Sequence, residues 1–296
     1  MFRLFLNVFI VTMTKIKSES KLLTPVINSW FYKRFVKKYW LYFRAYYWLP
    51  SKPNPFYAQN VERVNAVANM LADDKSKTTY LGMTKFRSTY NKKDFPFSCY
   101  EKTEYFIKEL KLDDDEIFLD CGAYDGDTIG DFLKCSPKYR RIIAFEPETA
   151  NFEELQKKYG DNDRITLINA GVYDKDGEVL FNVVKNTGSS KVSENAKIDE
   201  TNNFVSIKVK TIDGLDLEKV TFIKMDIEGA ELNALKGAKK TILRNKPKLA
   251  VCIYHSDEDM LQIAEYIHNL APEYKLYVRQ HENYPSIFET VLYALP

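Results

Sequence analysis

Residues 116–128 read EIFLDCGAYDGDT. The apolar run 116–120 suits a buried strand, and it stops at Asp120. Gly122 and Gly126 follow, four residues apart. Glycines placed there let the backbone turn tightly and approach a ligand, where the N–H groups of the next helix are exposed. An ordinary strand-to-helix turn with an N-cap Asp reads the same way. The turn therefore has to be weighed with what surrounds it.

From 116 onward the chain alternates between two periodicities. Strands are predicted at 116–120, 141–146, 164–170, 220–226 and 248–254. Helices are predicted between them, at 127–134, 149–158, 230–244 and 257–270. This alternation implies a parallel, doubly wound α/β sheet. Residues 178–184 and 204–211 read as an added strand pair. Residues 274–280 and 287–294 are strands joined too tightly for a helical crossover, so they must be antiparallel. Upstream, 57–72 and 98–110 read as helices, and 73–97 as polar and irregular.

In such sheets ligands bind at the carboxyl ends of the strands. The second strand ends in Phe145-Glu146-Pro147, and Glu146 lies twenty residues after Gly126. An acid there can accept both hydroxyls of an adenosine ribose. The nicotinamide fingerprint G-x-G-x-x-G and the Walker pattern are both absent. An acid at the first strand end suits a cationic group, such as the amino group of a methionine moiety, which favours S-adenosylmethionine over a nicotinamide. The fourth strand ends in Lys224-Met225-Asp226-Ile227-Glu228-Gly229-Ala230-Glu231. Helix capping accounts for Glu231 and for Glu228, but not for Asp226 closing an apolar strand. The fifth strand ends in Tyr254-His255, where a histidine could serve as general base or as a structural residue.

Three runs together carry a family resemblance: DCGAYDGDT from Asp120, AFEP from Ala144, and FIKMDIEGAE from Phe222. They resemble the FkbM family of S-adenosylmethionine-dependent methyltransferases. Thr187-Gly188-Ser189-Ser190 and the closing run ETVLYA, from Glu289, resemble it as well. The resemblance covers about 98–296, so residues 1–97 are set apart as an N-terminal extension. It implies a Rossmann-like seven-stranded methyltransferase sheet with its last strand antiparallel and helices on both faces. Carried over by motif, Asp120, Gly122 and Glu146 hold the cofactor and Asp226 lies near the transfer site. Tyr124, Asp125 and Thr128, in the same turn, complete the expected cofactor set. The implied activity is O-methylation of a small-molecule, glycan or glycolipid acceptor, commonly in antibiotic or surface-polysaccharide biosynthesis.

Methyl transfer to a hydroxyl needs a base, or a metal that acidifies the hydroxyl. His255 is the expected base. Alternatively Asp226, Glu228 and His255 converge on a divalent cation. Linear spacing does not separate the two. A rival function is a non-catalytic membrane-surface or assembly module that keeps the fold, against which the acids at three strand ends argue.

Composition bounds the rest. The chain has 296 residues, 45% hydrophobic and 28% charged, as in ordinary globular proteins. No run reaches the roughly 18 uncharged apolar residues of a spanning helix. Cys99, Cys121, Cys135 and Cys252 form no C-x-x-C pair, which fits the reducing cytosol. Residues 1–50 carry nine Lys/Arg and one Glu, while the remainder carries 34 Lys/Arg and 40 Asp/Glu. The body shows no basic groove for nucleic acid. Residues 1–13 are apolar but lack the cleavage site of a signal peptide, and Met13 is an alternative start. Residues 30–48 hold eleven aromatic residues. As a helix, they gather Lys33, Arg34, Lys37, Lys38 and Arg44 on one face, opposite the aromatic side. Such a helix packs on the body or a second subunit, or lies in an anionic membrane interface, here the inner membrane surface.

Overall fold

The computed structural model describes residues 49–50, 52–182, 191–192, 204–215, 217 and 219–296. The apolar stretch 1–13, the aromatic stretch 30–48 and the run Thr187-Gly188-Ser189-Ser190 lie outside the described residues. Ser51–Pro296 is one compact unit.

The body opens with helices α1 (Phe56–Gln59), α2 (Val61–Met70) and α3 (Asp74–Thr89). Strand β1 (Ile117–Cys121), helix α4 (Asp127–Cys135), β2 (Arg141–Phe145), α5 (Thr149–Tyr159) and β3 (Ile165–Ile168) follow. A second sheet takes β4 (Gly171–Val172), β5 (Gly177–Asn182), β6 (Lys191–Val192) and β7 (Phe204–Lys210). The chain returns with β8 (Phe222–Met225), α6 (Glu231–Gly237), α7 (Lys239–Asn245), β9 (Lys248–Cys252), α8 (Asp259–Leu270), β10 (Lys275–Gln280) and β11 (Thr290–Leu295).

The main sheet has seven strands in the order β10-β11-β9-β8-β1-β2-β3. β11 runs antiparallel to both β9 and β10, and the other pairings are parallel. This is the Rossmann-like methyltransferase arrangement read from the sequence, with the last strand reversed. Every residue of β1 and β8 is buried, as expected of strands covered on both faces. Phe118 stacks on Phe222 at 4.8 Å and on Phe132 of α4 at 4.5 Å, which fixes α4 over the sheet centre. The expected added pair is β5 with β7, antiparallel.

Four local expectations change. Residues 74–89, read as irregular, form α3. Its hydrophobic pattern is weak, but the Asp73 carboxylate caps it by accepting from Ser76 N–H, and Tyr90 ends it in the left-handed region (φ 52). Residues 98–110, read as a helix, form only short 3₁₀ turns at Phe97–Cys99 and Lys108–Leu110. Between them Tyr100 makes a single isolated bridge to Gln280 of β10, with Glu101 N–H donating to Gln280 O at 2.9 Å, and residues 102–105 bend away from regular structure. The span 230–244 is two helices meeting at Ala238 rather than one. The strand read as 164–170 stops at Ile168, and the chain crosses to the second sheet at Gly171. Among the described residues no helix is long and apolar enough to cross a membrane.

Candidate active site

The carboxyl ends of β1, β2 and β8, with β4, β5 and β7 of the second sheet, the segment Glu104-Tyr105-Phe106 and Glu289 just before β11, line a cleft of about 490 Å³. That size is usual for a cofactor or small-molecule site. The turn after β1 forms the floor. Gly122 has φ +85, and a Cβ there would run into the Asp226 carbonyl oxygen. Glycine is needed because two strand-end backbones pass each other, more than because a ligand presses on it. Gly126 (φ +83) is the N-cap of α4 and supplies no side-chain cap, and Thr128 N–H donates instead to Asp127 Oδ1 at 2.7 Å.

The expected cofactor residues divide. Gly122, Tyr124, Thr128, Glu146 and Asp226 line the cleft. Glu146 is buried, and its two oxygens accept from Tyr124 N–H at 2.9 Å and Glu148 N–H at 2.8 Å. Burial pushes its carboxyl above the usual range despite those donors. A carboxylate offers about four acceptor positions, so lone pairs remain for ribose hydroxyls. The acids of the lining, Glu146, Asp226 and Glu228 among them, suit a ligand bearing hydroxyls and positive charge. Asp120 and Asp125 do not line the cleft. Asp125 is on the surface, paired with Lys158 at 2.9 Å. Asp120 is fully buried with Lys224 Nζ at 3.2 Å. Its burial raises its pKa against the pull of that cation. Lys224 is the group that reaches the cleft, and it donates to Gly122 O at 2.7 Å.

The second cluster surrounds Asp226. Tyr105 Oη donates to Oδ2 at 2.9 Å and Tyr254 Oη to Oδ1 at 3.1 Å. Burial pushes Asp226 up, but Lys224, His255 and the two phenols outweigh it, so its pKa falls below the usual value. His255 does not line the cleft and sits behind Asp226, among three carboxylates. Nδ1 is 3.0 Å from Glu231 Oε1; Nε2 is 3.4 Å from Asp226 Oδ1 and 3.7 Å from Glu228 Oε2. Burial pushes the imidazole pKa down, yet Glu231, Asp226 and Glu228 together raise it to about 9. A group that holds its proton at neutral pH is unsuited to being a metal-free base.

For the alternative, the residues offering ligand atoms within 4.8 Å of one another are Asp226, Glu231 and His255. Glu231 thus takes the place expected for Glu228 in this set, and its Oε1 also accepts Ile227 N–H at 2.8 Å.

Sequence reasoning missed Tyr105, Lys224, Glu104 and Glu289 as cleft residues. Burial raises the Glu289 carboxyl well above the usual range, and Glu104 beside it adds to the effect. Tyr105, Tyr124, Glu228 and Glu289 all adopt left-handed backbone, which no local pattern announces for these residue types. The apolar wall comes from the second sheet, through Val172, Val179, Ile207 and Val209.

Residues 120–277 match the family model described as the methyltransferase FkbM domain. Among solved structures, the chain is similar to the methyltransferase FkbM from Methylobacillus flagellatus KT. The two are 30% identical with a TM-score of 0.66, over 80% of this chain and 59% of that one. It is also similar to the 2-O-methyltransferase NoeI of Sinorhizobium fredii (strain NBRC 101917 / NGR234). That match is 24% identical over 165 residues, 50% of this chain and 66% of the relative. The chain thus spans less than two thirds of either protein.

Proposed function

The chain belongs to the FkbM methyltransferase family, and from that premise we propose that it methylates a hydroxyl oxygen of a glycan, glycolipid or related biosynthetic intermediate, using S-adenosylmethionine. The observation that carries this reading is one cleft with Glu146 at one strand end and an ionised Asp226 at another. The name of NoeI, a 2-O-methyltransferase, supports oxygen as the acceptor atom.

Bound S-adenosylmethionine supplies a methyl group already activated on a sulfonium, with a neutral thioether to leave. Glu146 would accept the ribose hydroxyls, and Gly122, Tyr124 and Thr128 would line the remainder of the cofactor's site. Asp226 accepts the hydrogen bond of the acceptor hydroxyl and aims its lone pair, so that orientation supplies much of the rate. Asp226 would take the proton that the acceptor hydroxyl loses on methylation, while the sulfur–methyl bond breaks to leave the neutral thioether. Tyr105, Tyr254 and the His255 cation keep that carboxylate ionised and fixed until then. In a second version, favoured by the clustering of Asp226, Glu231 and His255, these side chains would hold a divalent cation, whose chemistry would be to acidify the hydroxyl.

Calorimetry with S-adenosylhomocysteine and with NAD tests the cofactor. Methyl transfer from labelled S-adenosylmethionine to a panel of neutral glycosides and glycolipids tests the acceptor. Binding of NAD but not S-adenosylhomocysteine would overturn the reading.

A further inference from the structure

We propose that Arg87, on α3 and outside the segment matched by the family model, is a positioning residue for the acceptor side of the cleft. Its side chain is 6% exposed, and its guanidinium binds two separate loops. Nε donates to Asp257 Oδ1 at 2.9 Å; Nη1 donates to Tyr254 O at 3.1 Å and to Ile287 O at 2.8 Å. Each contact falls on or within two residues of a group at the Asp226 cluster or the cleft. Tyr254 is the residue whose phenol holds Asp226, and it precedes His255. Asp257 follows His255 by two positions, and Ile287 precedes Glu289 by two. The loops also touch each other, with the Tyr254 and Phe288 rings edge to face at 5.9 Å.

The support is itself braced. Asp257 accepts from Tyr57 Oη at 2.8 Å and from Asn54 Nδ2 at 2.6 Å, so the segment ahead of α3 closes round the same carboxylate. A planar guanidinium donates in several fixed directions at once, which an ammonium on a flexible stem does not reproduce. None of these contacts reaches Glu146 or the turn after β1. Arg87 therefore acts on the Asp226–His255–Glu289 side and leaves the ribose side alone. The inference rests on reading the cleft as a methyltransferase site.

The test uses the full chain with Arg87→Lys and Arg87→Gln. Only three histidines are present, so histidine-selective ¹⁵N NMR reports His255 directly, with His268 on α8 as the reference. The expected result is a shifted or broadened His255 signal, larger for Gln than for Lys, with His268 unmoved. S-adenosylhomocysteine should still bind within about threefold of wild type. If the arginine variants fail to fold, Asp257→Asn is read by the same criteria. An unmoved His255 in a folded variant overturns the proposal. So does a tenfold or greater loss of S-adenosylhomocysteine affinity, which would mean a general scaffold role. Failure of wild type to bind S-adenosylhomocysteine would sink the methyltransferase reading instead, and the His255 signal would still judge the positioning.

Discussion

Lys224 and Asp120 are register partners on β8 and β1, and their side chains form an ion pair at 3.2 Å with almost no solvent exposure. Lys224 also fastens the turn after β1 through Gly122 O. Removing one member of a buried pair leaves the other charge uncompensated, so Lys224→Met should destabilise the protein by roughly 3–5 kcal/mol. Asp120→Leu combined with Lys224→Met should recover much of that loss, because two apolar groups need no partner. Denaturant melts on both variants decide it, and a double variant no more stable than the single would contradict the account.

Glu146→Ala should weaken S-adenosylhomocysteine binding by roughly 1–3 kcal/mol, since the ribose hydroxyls lose their acceptor. The Tyr124 and Glu148 N–H groups lose theirs as well, so a modest drop in Tm is expected beside it. Calorimetry showing wild-type affinity would remove Glu146 from the cofactor site.

Asp226→Asn should cut methyl transfer about 10²–10⁴-fold while sparing S-adenosylhomocysteine affinity. Manganese separates the two versions of the chemistry. With a metal-free site, activity survives EDTA and the His255 NMR signal ignores Mn²⁺. Activity lost in EDTA and restored by Mg²⁺ or Mn²⁺, with His255 broadened by Mn²⁺, would establish the cation version.

Two histidines should give stability opposite pH slopes. The His281 ring is buried between Glu101 O and Tyr293 Oη, each at 2.9 Å, and burial holds its pKa at about 4. The unfolded chain takes that proton first, so its contribution is lost as pH falls from about 6.5 to about 4. His255, raised to about 9 by its carboxylates against burial, keeps its proton longer when folded. Its contribution is lost as pH rises from about 6.5 to about 9. Each limb is worth roughly 3 kcal/mol when fully developed. Urea unfolding across this range, in EDTA, should show a flatter acid limb for His281→Gln and a flatter alkaline limb for His255→Gln. Unchanged limbs in both would refute the assignments.

For the aromatic stretch 30–48 we propose contact with an anionic membrane surface. Each basic residue near such a surface contributes about 1 kcal/mol, screened by salt. Reversing Lys33, Lys37 and Lys38 to Glu should release the protein from anionic vesicles. Equal sedimentation of wild type and variant at low salt would reject this.

The sequence by itself determined the layered α/β sheet and two of its strand-end acids. Buried parallel strands must be continuous apolar runs, a turn that passes another backbone must be glycine, and an acid closing such a run has little structural excuse. Glu146 and Asp226 were legible for that reason, and the tight joint before β11 gave away its reversal. The tertiary structure alone decided what each charge faces. Asp120 reads as a cofactor ligand until the β1–β8 register sets Lys224 beside it. His255 reads as a base until folding surrounds it with Glu231, Asp226 and Glu228, whose summed field outweighs its burial. Tyr105 reads as part of a helix, yet its backbone is left-handed and its phenol meets Asp226, 121 residues away. Local pattern records which residues are buried and how often. The pairing of buried charges depends on strand register and loop closure, and those follow from contacts spread over the whole chain.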